Sequence, residues 1–108
     1  MSLSNKKCLP CEGGTLPIQG GDIPTYLEQL KFDWKVVAGK KIQHGFSFKD
    51  FNEAMAFVNR IAEIAEEESH HPDIIIHYNK VTIELWTHAI VGLSENDFIV
   101  AAKIEKIF

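Results

Sequence analysis

The sequence lacks any apolar run of the roughly 20 residues that a bilayer-spanning helix requires. Its N-terminus also lacks a basic segment followed by an apolar stretch, the pattern that directs secretion. We therefore expect no membrane association and a soluble protein in the cytoplasm.

An excess of positive charge is missing as well. The chain carries 11 Lys and Arg against 15 Asp and Glu, which gives a formal net charge of −4. Non-specific binding to nucleic acid depends on basic side chains that neutralise phosphates. We therefore do not expect the protein to bind DNA or RNA directly.

Cysteine is scarce. The chain has two cysteines, Cys8 and Cys11, which form a single Cys-x-x-Cys pair. A structural zinc site usually has four ligands, and no second pair exists, although His44 or another side chain could complete a site. The βαβ pattern of a thioredoxin-like redox pair is also absent. We interpret the pair as reduced thiols in a flexible N-terminal arm, residues 1–21, where Gly and Pro interrupt every regular period.

Residues 22–108 have the length of one compact domain. Apolar residues recur at helical spacing in three segments, and apolar and polar residues alternate in four others. Helices are predicted from Asp22 to about Lys31, from Phe51 to just before His70, and from Ser94 to the C-terminus; strands are predicted at 33–38, 41–48, 73–78 and 80–87. The predicted order is α-β-β-α-β-β-α.

Three of the five histidines, His70, His71 and His88, fall in the stretch between Glu66 and Asp97. Imidazole titrates near pH 6.5, so grouped histidines can exchange protons near neutral pH without a cofactor. Glu66 and His70 are one helical turn apart, and we expect Glu66 to orient His70 if the helix continues. His71 follows immediately and is expected to approach a ligand from another direction.

His88 is predicted at the end of the last strand, on the face opposite Val81 and Ile83. Trp86 shares that open face, and we predict that it binds substrate together with His71. Ser94 and Asp97 resemble a capping box, so a cap and a site role for Asp97 stay equally open. The residues alone do not separate acid/base catalysis from a three-histidine metal site.

The run Glu66-x-x-x-His70-His71-Pro72, followed by Tyr78, His88 and Asp97, resembles the signature of the pterin-4a-carbinolamine dehydratases. Weaker similarity extends over residues 22–108. The resemblance implies an α+β fold with one four-stranded antiparallel sheet and helices on one face. It also implies homodimers that join sheets edge to edge and often pair into homotetramers.

The implied activity is that of a hydro-lyase, which removes water from a 4a-hydroxytetrahydropterin to give quinonoid dihydropterin. This step recycles the pterin after an aromatic amino-acid hydroxylase has used it, and it requires no metal and no cofactor. His70 and His88 would transfer protons, His71 would hold the pterin, Glu66 would tune His70, and Asp97 would support the site. One alternative is a binding module that stabilises a dimeric homeodomain transcription factor, as in some animal members of the family.

Overall fold

The computed structural model describes residues 3–9 and 17–108. Within them the chain forms three α-helices and one four-stranded antiparallel sheet, and this confirms the predicted α+β class and element order. The elements are α1 (Ile23–Leu27), β1 (Lys35–Val37), β2 (Lys41–Ser47), α2 (Phe51–Glu68), β3 (Asp73–His77), β4 (Lys80–Leu85) and α3 (Glu95–Ile107), with short 3₁₀ turns at Leu3–Asn5 and His88–Ile90.

The sheet has the strand order β1-β2-β4-β3, and β2 and β4 form its centre. Ile42 pairs with Leu85 and Phe46 pairs with Val81 across these two strands, so apolar side chains line the same face. The four side chains are at most 2% exposed because the helices cover this face. Burying a large apolar side chain stabilises a fold by roughly 1.5–3 kcal/mol, so this face accounts for much of the core.

The long helix α2 begins where the sequence indicates. The Asp50 carboxylate accepts a hydrogen bond from the Glu53 backbone N–H at 2.9 Å, which satisfies one of the unpaired donors of the first turn. Ala54, Phe57 and Ile61 form the buried stripe of the helix. The helix therefore lies on the sheet with its C-terminus at the end of the molecule that holds His70.

Helix α3 is the central helix, buried along most of its length. A capping box joins Ser94 and Asp97 at its start, as predicted. Near its other end the buried Glu105 carboxylate accepts hydrogen bonds from the backbone N–H of Phe32 at 2.8 Å and from the Trp34 indole at 2.9 Å. Glu105 thereby ties the segment between α1 and β1 to the core, which sequence periodicity did not indicate.

Several boundaries differ from prediction. Helix α1 ends at Leu27. The first hairpin turns over residues 38–40, one residue earlier than the predicted strand end at 38, and Ala38 and Gly39 both have positive φ (54° and 68°). Strand β4 ends at Leu85 because Thr87 turns inward and pairs with Gly92 in an isolated bridge. His88 therefore starts a 3₁₀ turn instead of ending the strand.

The described part of the N-terminal arm packs on the domain. Leu3 is 2% exposed in the core, and Lys103 of α3 donates to the Ser4 carbonyl at 3.0 Å. Further along, the Ile18 N–H donates to the Leu93 carbonyl at 2.8 Å. An isolated apolar residue such as Leu3 has no periodicity that would predict this packing. Cys11, the second cysteine of the predicted pair, lies outside the described residues.

In the described ranges, no helix combines the length and apolar character that crossing a bilayer would require.

Candidate active site

The C-terminus of α2 determines where the two adjacent histidines point. Ser69 takes the left-handed conformation (φ 53°), and the His70 N–H donates back to the Ala65 carbonyl at 3.1 Å. This is the hydrogen-bonding pattern of a Schellman motif, which ends a helix and reverses the chain direction. The helical phase is lost after Glu68, so the predicted pairing of Glu66 with His70 is wrong.

His70 instead contacts Asp97 on α3. Its Nε2 lies 2.6 Å from Asp97 Oδ1, the Asp97 side chain is fully buried, and the His70 side chain is 11% exposed. A carboxylate can only accept hydrogen bonds, so His70 Nε2 carries the proton. The tautomer and ring orientation of His70 are thereby fixed, and Nδ1 is the ring atom able to exchange a proton with a ligand.

Asp97 is itself held in place. Its second oxygen, Oδ2, accepts from the Ser94 backbone N–H at 2.9 Å and from the Thr87 hydroxyl at 2.8 Å. The Thr87 and Ser94 hydroxyl oxygens are 2.7 Å apart. Asp97 thus caps α3 and also contacts His70, so the predicted cap is present and the site role of Asp97 stays a prediction.

His71 contacts the carboxylate that was expected to serve His70. Its Nε2 lies 2.5 Å from Glu66 Oε2, and the two side chains are 61% and 78% exposed. This pair therefore sits at the surface, where solvent screens the attraction between charges.

His88 and Trp86 form the opposite side of the site. Their rings stack with centroids 4.0 Å apart and planes inclined by 25°. The Trp86 indole N–H donates to Asp73 Oδ2 on the neighbouring strand at 3.0 Å, which fixes the ring. The prediction that Trp86 and His88 lie together on the open side of the sheet agrees with this geometry, although His88 is presented by the 3₁₀ turn.

These side chains line one cavity of about 590 Å³ between the C-terminus of α2, the end of β4 and the N-terminus of α3. Ligand sites are typically cavities of about 300–1,000 Å³ with a few convergent polar groups. His70, His71, Trp86 and His88 all contribute to the wall, whereas Asp97 lies behind His70 and Glu66 lies outside the lining.

Sequence reasoning missed the contribution of the N-terminal segment, because Lys7, Cys8 and Leu9 also line this cavity. The Cys8 N–H donates to Glu68 Oε1 at 2.9 Å. Burial, followed by the nearby Glu68 carboxylate, raises the pKa of the Cys8 thiol to about 12. No pattern in a segment interrupted by Gly and Pro signals such a contact. Thr87 could have been identified from the sequence, because it alternates with Trp86 and His88 and so should point to the opposite, buried side.

Glu68 is a buried carboxylate next to the site. Burial raises its pKa, but the hydrogen bond from the Cys8 N–H and the charges of Lys103 and Lys7 outweigh burial and leave the pKa below its ordinary value. Lys103 Nζ lies 3.5 Å and Lys7 Nζ 3.8 Å from Glu68 Oε2. The carboxylate is therefore ionised at neutral pH and holds two cations.

Two imidazole rings line one cavity, and one of them is held by a buried carboxylate. Imidazole nitrogens can donate or accept a proton, so the arrangement is suited to proton transfer on a bound molecule. The three-histidine metal site left open by the sequence gains no support, since no group of three His, Cys, Asp or Glu side chains in 3–9 and 17–108 has the geometry to hold a metal ion. The fold and the site together define a small α+β protein with a histidine-lined pocket.

Comparisons with known proteins identify the family. A sequence profile described as "Pterin 4 alpha carbinolamine dehydratase" matches residues 17–107. A protein of Alkaliphilus metalliredigens, provisionally named pterin-4-alpha-carbinolamine dehydratase, is 46% identical over 97% of this chain and 95% of its own length. A protein of Nitrosospira multiformis with the same provisional name is 50% identical over 98% of this chain and 92% of its own length.

One solved structure, described as a transcriptional coactivator/pterin dehydratase from Brucella melitensis, is 34% identical and superposes with a TM-score of 0.78. The match covers 84% of this chain and 97% of that one. The chain belongs to the pterin-4a-carbinolamine dehydratase family. The resemblance drawn from the Glu66–Asp97 signature is therefore confirmed, and so is the hydro-lyase class that the family represents.

Proposed function

We propose that this protein catalyses the dehydration of a 4a-hydroxytetrahydropterin to quinonoid dihydropterin, with His70 and His88 as the proton-transfer groups. The observation that carries the proposal is the pocket in which His70, fixed by the buried Asp97, and His88, stacked on Trp86, both line the cavity wall. Family membership supplies the substrate class.

The reaction needs two proton transfers and no change of oxidation state. The bond between C4a and the hydroxyl oxygen breaks, and an acid protonates the departing oxygen so that it leaves as water. A base takes a proton from a ring N–H, and the electron pair of that bond completes the quinonoid double-bond system. Positioned general acids and bases typically contribute about 10²–10⁴-fold to such steps.

Asp97 acts as a positioning residue in this mechanism. Its contact with Nε2 holds the His70 ring in one tautomer, so that Nδ1 carries out the exchange with substrate. Because Thr87 and the Ser94 N–H hold Asp97 in turn, the His70 ring does not need to reorganise during the reaction.

His71 and Trp86 are proposed to hold the pterin. Trp86 offers a flat ring whose orientation is fixed by Asp73, and an aromatic face is a suitable surface for a bicyclic ring. His71 is tethered by Glu66 at the cavity rim, and its exposure suits a contact with the polar edge of a ligand more than buried proton transfer. Glu66 is thus assigned to His71 instead of His70.

The direct test is to generate the carbinolamine enzymatically and to follow its dehydration with and without the protein. A matched blank is essential, because the carbinolamine also loses water spontaneously. His70→Ala and His88→Ala should each lower kcat by about 10²-fold while circular dichroism and oligomer state stay unchanged. Wild-type turnover in both single variants and in the double variant would rule out the proposed roles.

A role as a binding module is the second candidate, and it is favoured by one observation: the solved Brucella melitensis relative is described as a transcriptional coactivator as well as a pterin dehydratase. Mixing this protein with a candidate helical partner and measuring the mass of the complex tests it. A stable complex that survives His70→Ala would support a second function independent of catalysis.

We also propose homo-oligomers formed through a sheet edge. Strand β3 is an edge strand, and its Ile75 and Ile76 are 40% and 36% exposed. An exposed apolar edge is normally covered in a soluble protein. Light scattering of the purified protein, compared with an Ile75→Lys variant, tests this: the wild type should be a dimer or tetramer and the variant a smaller species.

A further inference from the structure

The N-terminal segment is held at the pocket by an amide side chain on α3. Asn96 Oδ1 accepts from the Leu9 N–H at 3.0 Å, and Asn96 Nδ2 donates to the Leu9 carbonyl at 2.5 Å. The amide thus binds both polar backbone groups of one residue, as a neighbouring strand would. Asn96 is 6% exposed, so both hydrogen bonds form in a mostly desolvated position.

A second contact holds the preceding residue. The Cys8 N–H donates to Glu68 at 2.9 Å, and the Cys8 thiol lies 3.7 Å from the Asn96 carbonyl. Glu68 is buried, and its charge is balanced by Lys7 and Lys103. The segment is therefore attached to the C-terminus of α2 on one side and to the N-terminus of α3 on the other.

These attachment points adjoin the proposed catalytic pair. Glu68 stands two residues before His70, and Asn96 directly precedes Asp97, the partner of His70. Lys7, Cys8 and Leu9 line the same cavity as His70 and His88. A ligand that fills this cavity and reaches His70 is consequently in contact with residues 7–9 on one side.

We propose that residues 7–9 form a substrate-contacting wall of the pocket, so that docking of this segment on Glu68 and Asn96 strengthens pterin binding. The proposal rests on the proposed function of the pocket. Because coupling between two binding events is reciprocal, a bound pterin must favour docking of the segment by the same factor by which docking favours the pterin.

The first test measures docking without activity. Trypsin cleaves after Lys6 and Lys7, and intact mass spectrometry follows the loss of the N-terminal residues. Asn96→Leu removes both hydrogen bonds to Leu9, and we expect cleavage to become about tenfold faster. A saturating stable oxidised pterin should slow cleavage of the wild type about fivefold by linkage.

The second test measures pterin binding. Asn96→Leu should raise the Kd of the oxidised pterin and the KM of the carbinolamine about two- to threefold, since partial undocking lowers affinity by less than the full coupling factor, and should leave kcat within about twofold. Glu95→Gln is the matched control, since Glu95 contacts Lys6 of the same segment at 3.2 Å but does not line this cavity. Its KM should equal that of the wild type, and so should its rate of cleavage after Lys7. Cleavage after Lys6 is left out of this comparison because Glu95 contacts the Lys6 side chain.

Leu9→Ala distinguishes the contact of the Leu9 side chain with pterin from the docking of the segment on Asn96. It keeps the backbone hydrogen bonds to Asn96 and shortens a side chain that lines the cavity. The trypsin rate should stay at the wild-type value, while pterin affinity should fall about two- to threefold through lost apolar contact.

Two results would overturn the proposal: faster cleavage of Asn96→Leu with unchanged Kd and KM, or no protection of the wild type by pterin. Either leaves the dehydratase function intact if the wild type is active. Conversely, a wild type that shows pterin protection but no dehydration refutes the catalytic assignment and leaves residues 7–9 as a pterin-binding wall.

Discussion

Two histidine–carboxylate pairs stand one residue apart in this chain: His70 with Asp97, and His71 with Glu66. Their N···O distances are 2.6 Å and 2.5 Å, so contact length does not distinguish them. Their surroundings do, because Asp97 is fully buried and held by further donors, whereas Glu66 and His71 face solvent. The same contact therefore fixes a ring in one case and only tethers it in the other.

The largest expected difference between the two pairs is in stability. Asp97→Ala removes a buried carboxylate with three hydrogen-bond partners and should lower the free energy of unfolding by about 3 kcal/mol. Glu66→Ala removes an exposed partner and should cost less than about 0.5 kcal/mol. Urea unfolding measures both. Similar losses for the two variants would show that burial does not separate the pairs.

The turn at Ser69 keeps the two pairs apart, and its substitution should have the next largest effect. Ser69→Val places a β-branched residue at φ 53° and should destabilise the protein by about 1–2 kcal/mol. Because the turn directs both histidines, kcat should fall as well. Ser69→Gly fits this conformation and serves as the control, with stability equal to or above wild type; a loss of stability in Ser69→Gly would contradict this account of the turn.

Glu68 provides a buried carboxylate without a histidine partner. Its pKa is lower in the folded protein than the ordinary value of about 4.5, so its stabilising contribution is fully present above about pH 4.5 and is lost as the pH falls through the lowered pKa. Glu68→Gln should cost about 1–2 kcal/mol at pH 7, and the difference from wild type should shrink below about pH 4. A difference that grows on acidification would reverse the assigned sign.

Salt should produce the smallest effect and should act on one pair only. A double-mutant cycle for His71 and Glu66 should give a coupling of a few tenths of a kcal/mol that approaches zero near 1 M salt, where the Debye length is about 3 Å. The cycle for His70 and Asp97 should be larger and nearly salt-independent. Equal salt sensitivity of the two couplings would indicate that His70 and Asp97 are solvated.

The element order and the capping box at Ser94 and Asp97 could be predicted because helical and strand periodicities are clear in residues 22–108 and local polar patterns determine helix starts. The pairing of the histidines could not, since it depends on a left-handed Ser69, a conformation that Gly or Asn would have indicated more clearly. The contacts of Cys8 and Leu9 join residues about 60 and 87 positions apart, and no local pattern encodes such contacts.

The central claim is that His70, held by the buried Asp97, transfers protons, whereas His71, tethered by the exposed Glu66, holds substrate. The most direct measurement is kcat for carbinolamine dehydration by Asp97→Asn and Glu66→Gln, assayed side by side against a blank. The expected result is a loss of about 10²-fold in kcat for Asp97→Asn, with kcat within about twofold of wild type and a raised KM for Glu66→Gln. Equal losses of kcat, or a greater loss for Glu66→Gln, would contradict it.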